Sequence, residues 1–457
     1  MPGTKDRERW VVPVAAIAVA LLVVILLTNL MRTSYDLFAA AVLAPLLFAI
    51  SIPALFRQAA RERDERFAWL LMFALVAKLA GAVARYYVSF GLYGGRSDAS
   101  HYWVEGLVIG PALRHGSFVD VHILGLSGTN FIRFLSGIAV AGVGPSLLGG
   151  FLLFSWVGFW GLFLFYRAFT IAVPEGRRRT YAALVFFLPS LIFWPSGVGK
   201  EAWMMLGLGL AAFGVARVLT GRNLNGFIYT VLGLAACTAV RPHIAAMLAI
   251  ALVVALLVGQ SSRALGAMGP VVKVLALVPV IVLTGFLLLR SQAFLQTQGI
   301  NTNNGLGGVV QQTTDRTQKG GSRFAPSVLT SPWRAPLAGA TVLFRPLLFE
   351  ARDIPSMVAA IEGTFLIGLC LLRYRWIATS LRMLRRRAYL LFSLVYLGVF
   401  VAAYSTIANF GILVRERVQV IPFFLVLICV PPAEERWKAR KAELPLARSR
   451  RPARERT

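Results

Sequence analysis

The chain has 457 residues, of which 57% are hydrophobic and only 15% charged. That balance excludes a soluble protein of two or three globular domains and fits a multi-pass membrane protein. The net charge of +27 would suggest nucleic acid in a soluble chain. No aromatic-basic platform accompanies it, so nucleic acid is set aside as a partner in favour of anionic membrane lipids.

In chain order, a basic stretch at 5–9 precedes an apolar run at 10–31. The run is longer than a secretory signal core and no A-x-A cleavage site directly follows it, so a retained signal anchor is expected. Apolar runs long enough for a bilayer core of about 30 Å then recur along the chain. They lie at 36–56, 67–90, 146–167, 180–195, 202–219, 224–240, 244–260, 270–289, 355–372, 388–408 and 418–432. The fold class is therefore an all-α, polytopic membrane protein of about twelve transmembrane helices. It forms one multi-pass domain over 1–432 and a basic, disordered cytoplasmic tail over 433–457.

Loop charge sets the orientation. Arg57, Arg61, Arg63 and Arg66, then Arg177 to Arg179, then Arg373, Arg375, Arg382 and Arg385 to Arg387 fall on one side with both termini. About 30 of the 47 Lys and Arg residues lie there and about half as many on the other, which makes the first side cytoplasmic. Two external segments are long, 91–145 and 290–353. The first contains an apolar piece at 131–143, too short to span, which reads as an interfacial or re-entrant helix. The second is rich in Gln, Asn, Gly and Thr and reads as a mobile lid or binding element.

The external ends of the spans carry ionisable residues, against the bias expected for basic ones there. Asp98, Tyr102 and Glu105 share a face if their segment is helical. A carboxylate at Asp98 can deprotonate a hydroxyl acceptor or hold a divalent cation such as Mg²⁺ or Mn²⁺; the plain alternative is a helix cap. At Lys200-Glu201 a helix starts after Pro195, Gly197 and Gly199. A helix N-terminus with a Lys suits phosphate, or else the two side chains pair with each other. Arg241 offers a planar fork for phosphate, and His243 a proton donor or hydrogen-bonding partner. Arg345 and Glu350 either latch the second long loop or form an interfacial ion pair. Arg415-Glu416-Arg417 puts three charges at the start of the last span, where Glu416 can neutralise one Arg. Lys78 and Arg85, seven apart in the third span, point into the bundle. His101, His115 and His122 lack ligand spacing, so zinc is not expected. Cys237, Cys370 and Cys429 lie in apolar runs without a metal or disulfide pattern.

Two of these segments carry a family resemblance. Ser97-Asp98-Ala99-Ser100-His101-Tyr102 resembles the first external loop of the GT-C superfamily of membrane glycosyltransferases, with its acid and nearby Tyr. Leu188-Pro189-Ser190-Leu191-Ile192-Phe193-Trp194-Pro195-Ser196-Gly197-Val198-Gly199-Lys200-Glu201 resembles a further external turn of that superfamily, though Lys200-Glu201 stands where many members have one Asp. The resemblance implies transfer of a sugar or glycan from a polyprenyl-phosphate donor to a glycan or lipid-linked acceptor outside a bacterial plasma membrane. It implies Asp98 as base or metal ligand. Lys200, Arg241, Arg345, Arg415 and Arg417 would then bind the carrier phosphate, with Tyr102, Glu105, Glu201 and His243 completing the substrate site. The chain also resembles O-antigen polymerases and ligases, where Arg241, His243 and Arg415 would matter most and Asp98 would be peripheral. A lipid-linked sugar flippase or transporter is the rival from another class. It would need charge near the midplane and in both vestibules, and no internal repeat supports it.

Overall fold

The computed structural model describes residues 21–95, 97–117, 127–221, 225–259, 269–300, 305–318, 322–435 and 437. Most of the signal-anchor run, His122 and most of the basic tail lie outside them. Among the described residues the fold is all-helical, with one isolated bridge between Arg323 and Asn409 and no strand. Six helices are long and apolar enough to cross a membrane, the build of a membrane-embedded helical protein. The chain divides into two compact units, Met1–Trp156 with Ser196–Gly199, and Val157–Pro195 with Lys200–Thr457.

The first unit begins with α1 (Leu21–Thr33) and α2 (Tyr35–Glu62). Ser34 caps α2, and Asp64 caps α3 (Glu65–Tyr87), which widens into a π-helical turn over Val88–Leu92. Leu37, Val42, Leu46 and Ile50 on α2, and Trp69, Phe73, Val76 and Val83 on α3, are exposed. Such apolar outward stripes suit lipid tails. The polar groups turn inward. Asp36 accepts from the Ser146 hydroxyl at 2.7 Å, the Leu148 amide at 2.9 Å and the Tyr86 hydroxyl at 3.0 Å, tying three segments at one carboxylate. Trp156 donates to Ser51 at 2.8 Å, and Ser155 donates to the Lys78 carbonyl at 2.7 Å.

The expected helix at 131–143 is α5 (Thr129–Val143), and it packs closely on α4 (Asp98–Arg114). Gly106 and Gly110 lie four apart on α4. A Cβ at Gly110 would overlap the Val140 side chain and one at Gly106 would overlap Ser136, so the two backbones touch through small residues. Arg114 closes the pair by donating to the carbonyls of Ala141 and Val140, each at 2.8 Å.

The helix α6 (Leu147–Ala172) runs from the first unit into the second. In the second unit follow α7 (Arg178–Phe187), α8 (Pro189–Phe193), α9 (Lys200–Leu219), α10 (Asn225–Val240), α11 (Pro242–Val258) and α12 (Gly269–Thr297). The closest pairing is α9 with α10, where Gly233 abuts the Ala211 backbone and Trp203 donates to the Ala236 carbonyl at 2.9 Å. Apolar on every side, α11 is largely buried as a central post. Next come α13 (Gly305–Thr317), α14 (Ala335–Phe344), α15 (Ile354–Leu372), α16 (Tyr374–Arg382), α17 (Ala388–Tyr404), α18 (Phe410–Arg417) and α19 (Ile421–Leu427).

Two expected spans differ from expectation. The run at 180–195 is broken into α7 and α8, because Pro189 lacks an amide and Leu188 is extended before it. The run at 418–432 holds only the seven-residue α19, entered through Pro422 and buried along its length. Both pieces sit inside protein: Tyr181 on α7 donates to the Pro422 carbonyl at 3.1 Å, and Phe165 meets Phe423 edge-on at 5.0 Å. Irregular backbone is tolerated at such depth because protein satisfies it.

Candidate functional site

Five charged residues stand in the second unit at three helix ends, and four of them, Glu201, Arg241, Arg415 and Glu416, pair with one another. Lys200 and Glu201 open α9, Arg241 lies in the turn between α10 and α11, and Arg415 and Glu416 end α18. Pro242 starts α11 right after Arg241, leaving almost no loop, and Asn409 caps the start of α18, two turns before Arg415 and Glu416, by accepting the Ile412 amide at 3.2 Å.

Arg241 forks onto Glu416. Its Nη2 donates to Glu416 Oε1 at 2.6 Å, and its Nη1 donates to Oε2 of the same carboxylate. The Nη2 also reaches Glu201 Oε1 at 3.4 Å, and Arg415 Nε lies 3.2 Å from the same oxygen. Glu201 therefore bridges two arginines. Gln419 donates to Glu416 Oε2 at 2.6 Å, and the Tyr404 hydroxyl is hydrogen-bonded to Glu416 as well. His243 Nε2 stands 3.4 Å from the Tyr404 hydroxyl, and the charges of Arg241 and Lys200 bear on its ring. The buried Nδ1 of His243 meets no hydrogen-bond partner among the described residues.

The members differ in access. Arg241, Glu201 and Glu416 are buried, while the Arg415 side chain keeps 29% of its surface open. Two carboxylates stand against two guanidiniums, and Arg241 holds both carboxylates in place.

The remaining sequence-derived candidates lie elsewhere. Arg417 is fully buried and its side chain turns to other partners. It donates to the carbonyls of Arg345 at 2.8 Å, Leu343 at 3.3 Å and Ala359 at 3.4 Å, with Glu362 Oε1 at 3.9 Å. Glu362 in turn accepts the Ser190 amide at 2.6 Å. Arg345 pairs with Glu350 and lies over the rings of Phe324 at 4.5 Å and Phe410 at 5.3 Å. Those rings stack at 4.2 Å, and the Phe324 amide donates to the Ala408 carbonyl at 2.9 Å. The described part of the second long loop thus lies along residues 405–410, held by backbone bonds. Partial burial would raise the Glu350 carboxyl. The Arg345 and Leu347 hydrogen bonds and the Arg345 charge outweigh it and hold the group below its ordinary value.

Asp98, Tyr102 and Glu105 belong to the first unit, on α4. Asp98 is exposed in the first turn, Tyr102 is buried and Glu105 is half-buried. Ser97 stands at the cap position without a side-chain cap bond, and its hydroxyl lies 3.4 Å from that of Ser100. Among the described residues no three His, Cys, Asp or Glu side chains gather as metal ligands. An exposed single carboxylate does not make a cation site by itself.

Several residues of this arrangement escaped the sequence reading. Glu362 was visible as a lone acid in an apolar run, a signal for a buried functional or structural charge. Tyr404 and Gln419 carried no signal, and Glu416 looked like a local counter-ion to its neighbours rather than the seat of Arg241.

The fold and cluster define a membrane-embedded helical protein with a buried ionic site at its helix ends. Comparison with protein-family models, curated proteins and solved structures finds no match.

Proposed function

We propose that the chain is a membrane glycosyltransferase that moves a sugar or glycan from a polyprenyl-linked donor to an acceptor on the external face of a bacterial plasma membrane. The observation that carries the reading is the gathering of Arg241, Arg415, Glu201, Glu416, Lys200 and His243 at helix ends that loop charge assigns to the outside. Arg415 and Lys200 bind the carrier phosphate. Positive groups fixed in a low-dielectric site stabilise the charge that builds on the departing phosphate. Arg241, locked on Glu416, positions Glu201 and, through Tyr404, His243. Arg417 ties residues 343–345 to α15.

The O-antigen polymerase or ligase-like form of the reading has a specific observation in its favour. Arg241, His243 and Arg415, the three residues that matter most in that form, converge in one cluster. The GT-C-like form instead makes Asp98 the general base for the acceptor hydroxyl. Asp98→Asn separates them, read as cell-surface glycan in the source cell at matched membrane abundance. Glycan kept within about two-fold supports the polymerase or ligase-like form. A drop of about 100-fold, the usual scale for losing a general base, supports the GT-C-like form. The flippase reading gains little from Lys78 or Glu362. Both are buried, and Glu362 is committed to Ser190 and Arg417 rather than lining an aqueous path.

A further inference from the structure

A second polar cavity lies in the second unit, apart from the Arg241 cluster. Its volume is about 530 Å³, and its lining includes Arg323, Arg352, Phe324, Phe349, Phe410 and Glu350. The two arginines are exposed, and among the described residues neither guanidinium has a hydrogen-bond or ion-pair partner. The acids of the lining are otherwise engaged. Glu350 is paired with Arg345, and Asp353 caps α15 by accepting the Ser356 amide at 2.8 Å. Counting Arg345, three guanidiniums stand against two carboxylates.

The rim adds an independent observation. Phe349 is 84% exposed, and Leu348 and Ile354 beside it are exposed too. From Ile354 the exposed apolar surface continues along α15 through Val358, Ile361 and Phe365, the face of a helix apolar enough to cross a membrane. The cavity therefore sits where the lipid-facing surface of α15 begins, with an aromatic ring on the lipid side and two uncommitted guanidiniums inside. An exposed apolar ring gains by meeting hydrocarbon rather than water, and arginine favours phosphate.

We propose that this cavity binds the phosphate headgroup of a membrane lipid, with Arg323 and Arg352 on the phosphate and Phe349 against the first part of the acyl or prenyl chain. The inference needs only that the chain is membrane-embedded and stands whether or not it transfers sugars.

The test is ligand binding to the purified full-length protein in detergent. The probes are dioctanoyl phosphatidic acid and inorganic phosphate. The variants are Arg323→Gln with Arg352→Gln, Phe349→Ala, and Arg334→Gln as an exposed arginine outside the cavity, all checked for unchanged elution and melting. The expected result is that the double variant weakens phosphatidic acid about ten-fold or more, as loss of charge-assisted bonds should. Phe349→Ala should weaken the lipid but leave inorganic phosphate unchanged, and Arg334→Gln should change neither. Lipid affinity unaltered in the double variant overturns the site. Equal loss in Arg334→Gln reduces it to general surface charge, which also overturns it. Inorganic phosphate binding as tightly as phosphatidic acid overturns the lipid as its source.

Discussion

At the scale of single residues, the decisive contrast is between Arg241 and Arg415. Arg241 is buried and divided between two carboxylates, so Arg241→Ala leaves Glu416 without its main counter-charge and takes one of two arginines from Glu201. Removing one partner of a buried pair costs about 3–5 kcal/mol, and the variant should melt markedly lower in detergent. Arg415 keeps part of its surface open and shares Glu201 with Arg241, so Arg415→Gln should shift melting by no more than about 1 kcal/mol. Comparable losses in the two would show that Arg415 is a structural member as well. The Arg345–Glu350 pair yields a pH prediction. The Glu350 carboxyl is held below its ordinary value of 4.5, so its contribution is present above that pH and is lost as pH falls through the lower folded value. Exchange of the Leu347 amide, which donates to Glu350 at 2.8 Å, should quicken in that acidic window. In Glu350→Gln it should be fast already at neutral pH, and unchanged protection there would remove Glu350 as the latch.

At the scale of elements, helix ends and breaks decide what the chain can do. The caps at Ser34, Asp64 and Asn409 and the prolines at 189, 242 and 422 are local signals that a reading by apolar run length passes over. They mark where α8, α11 and α19 begin or break. Hydropathy alone read 180–195 and 418–432 as spans, because a buried broken helix and a lipid-crossing one have the same apolar content. The α4–α5 pair tests the small-residue packing. Gly110→Leu would drive a side chain into Val140, and overpacking of this kind costs about 1–3 kcal/mol. The same change at Gly142, where a Cβ meets nothing within 4 Å, should be nearly neutral. Equal melting of the two variants would mean that α4 and α5 do not pack through Gly110.

At the scale of the whole molecule, the class was readable and the site only partly so. Composition and apolar run length fix a membrane-embedded helical protein, since nothing soluble exposes Trp69, Phe73, Ile281 and Phe286 along long helices. Arg241, Lys200, Glu201 and Arg415 stood out one by one as charges at span ends. Their meeting did not, because Arg241 and Glu416 are 175 positions apart and no local pattern encodes that pairing. Action of this cluster on a lipid-linked glycan donor is best tested by cell-surface glycan in a deletion strain of the source cell carrying Arg415→Gln, at wild-type membrane abundance and melting. Glycan should fall at least about 100-fold, as expected when a group that stabilises transition-state charge is removed. Wild-type glycan in that strain would contradict that action.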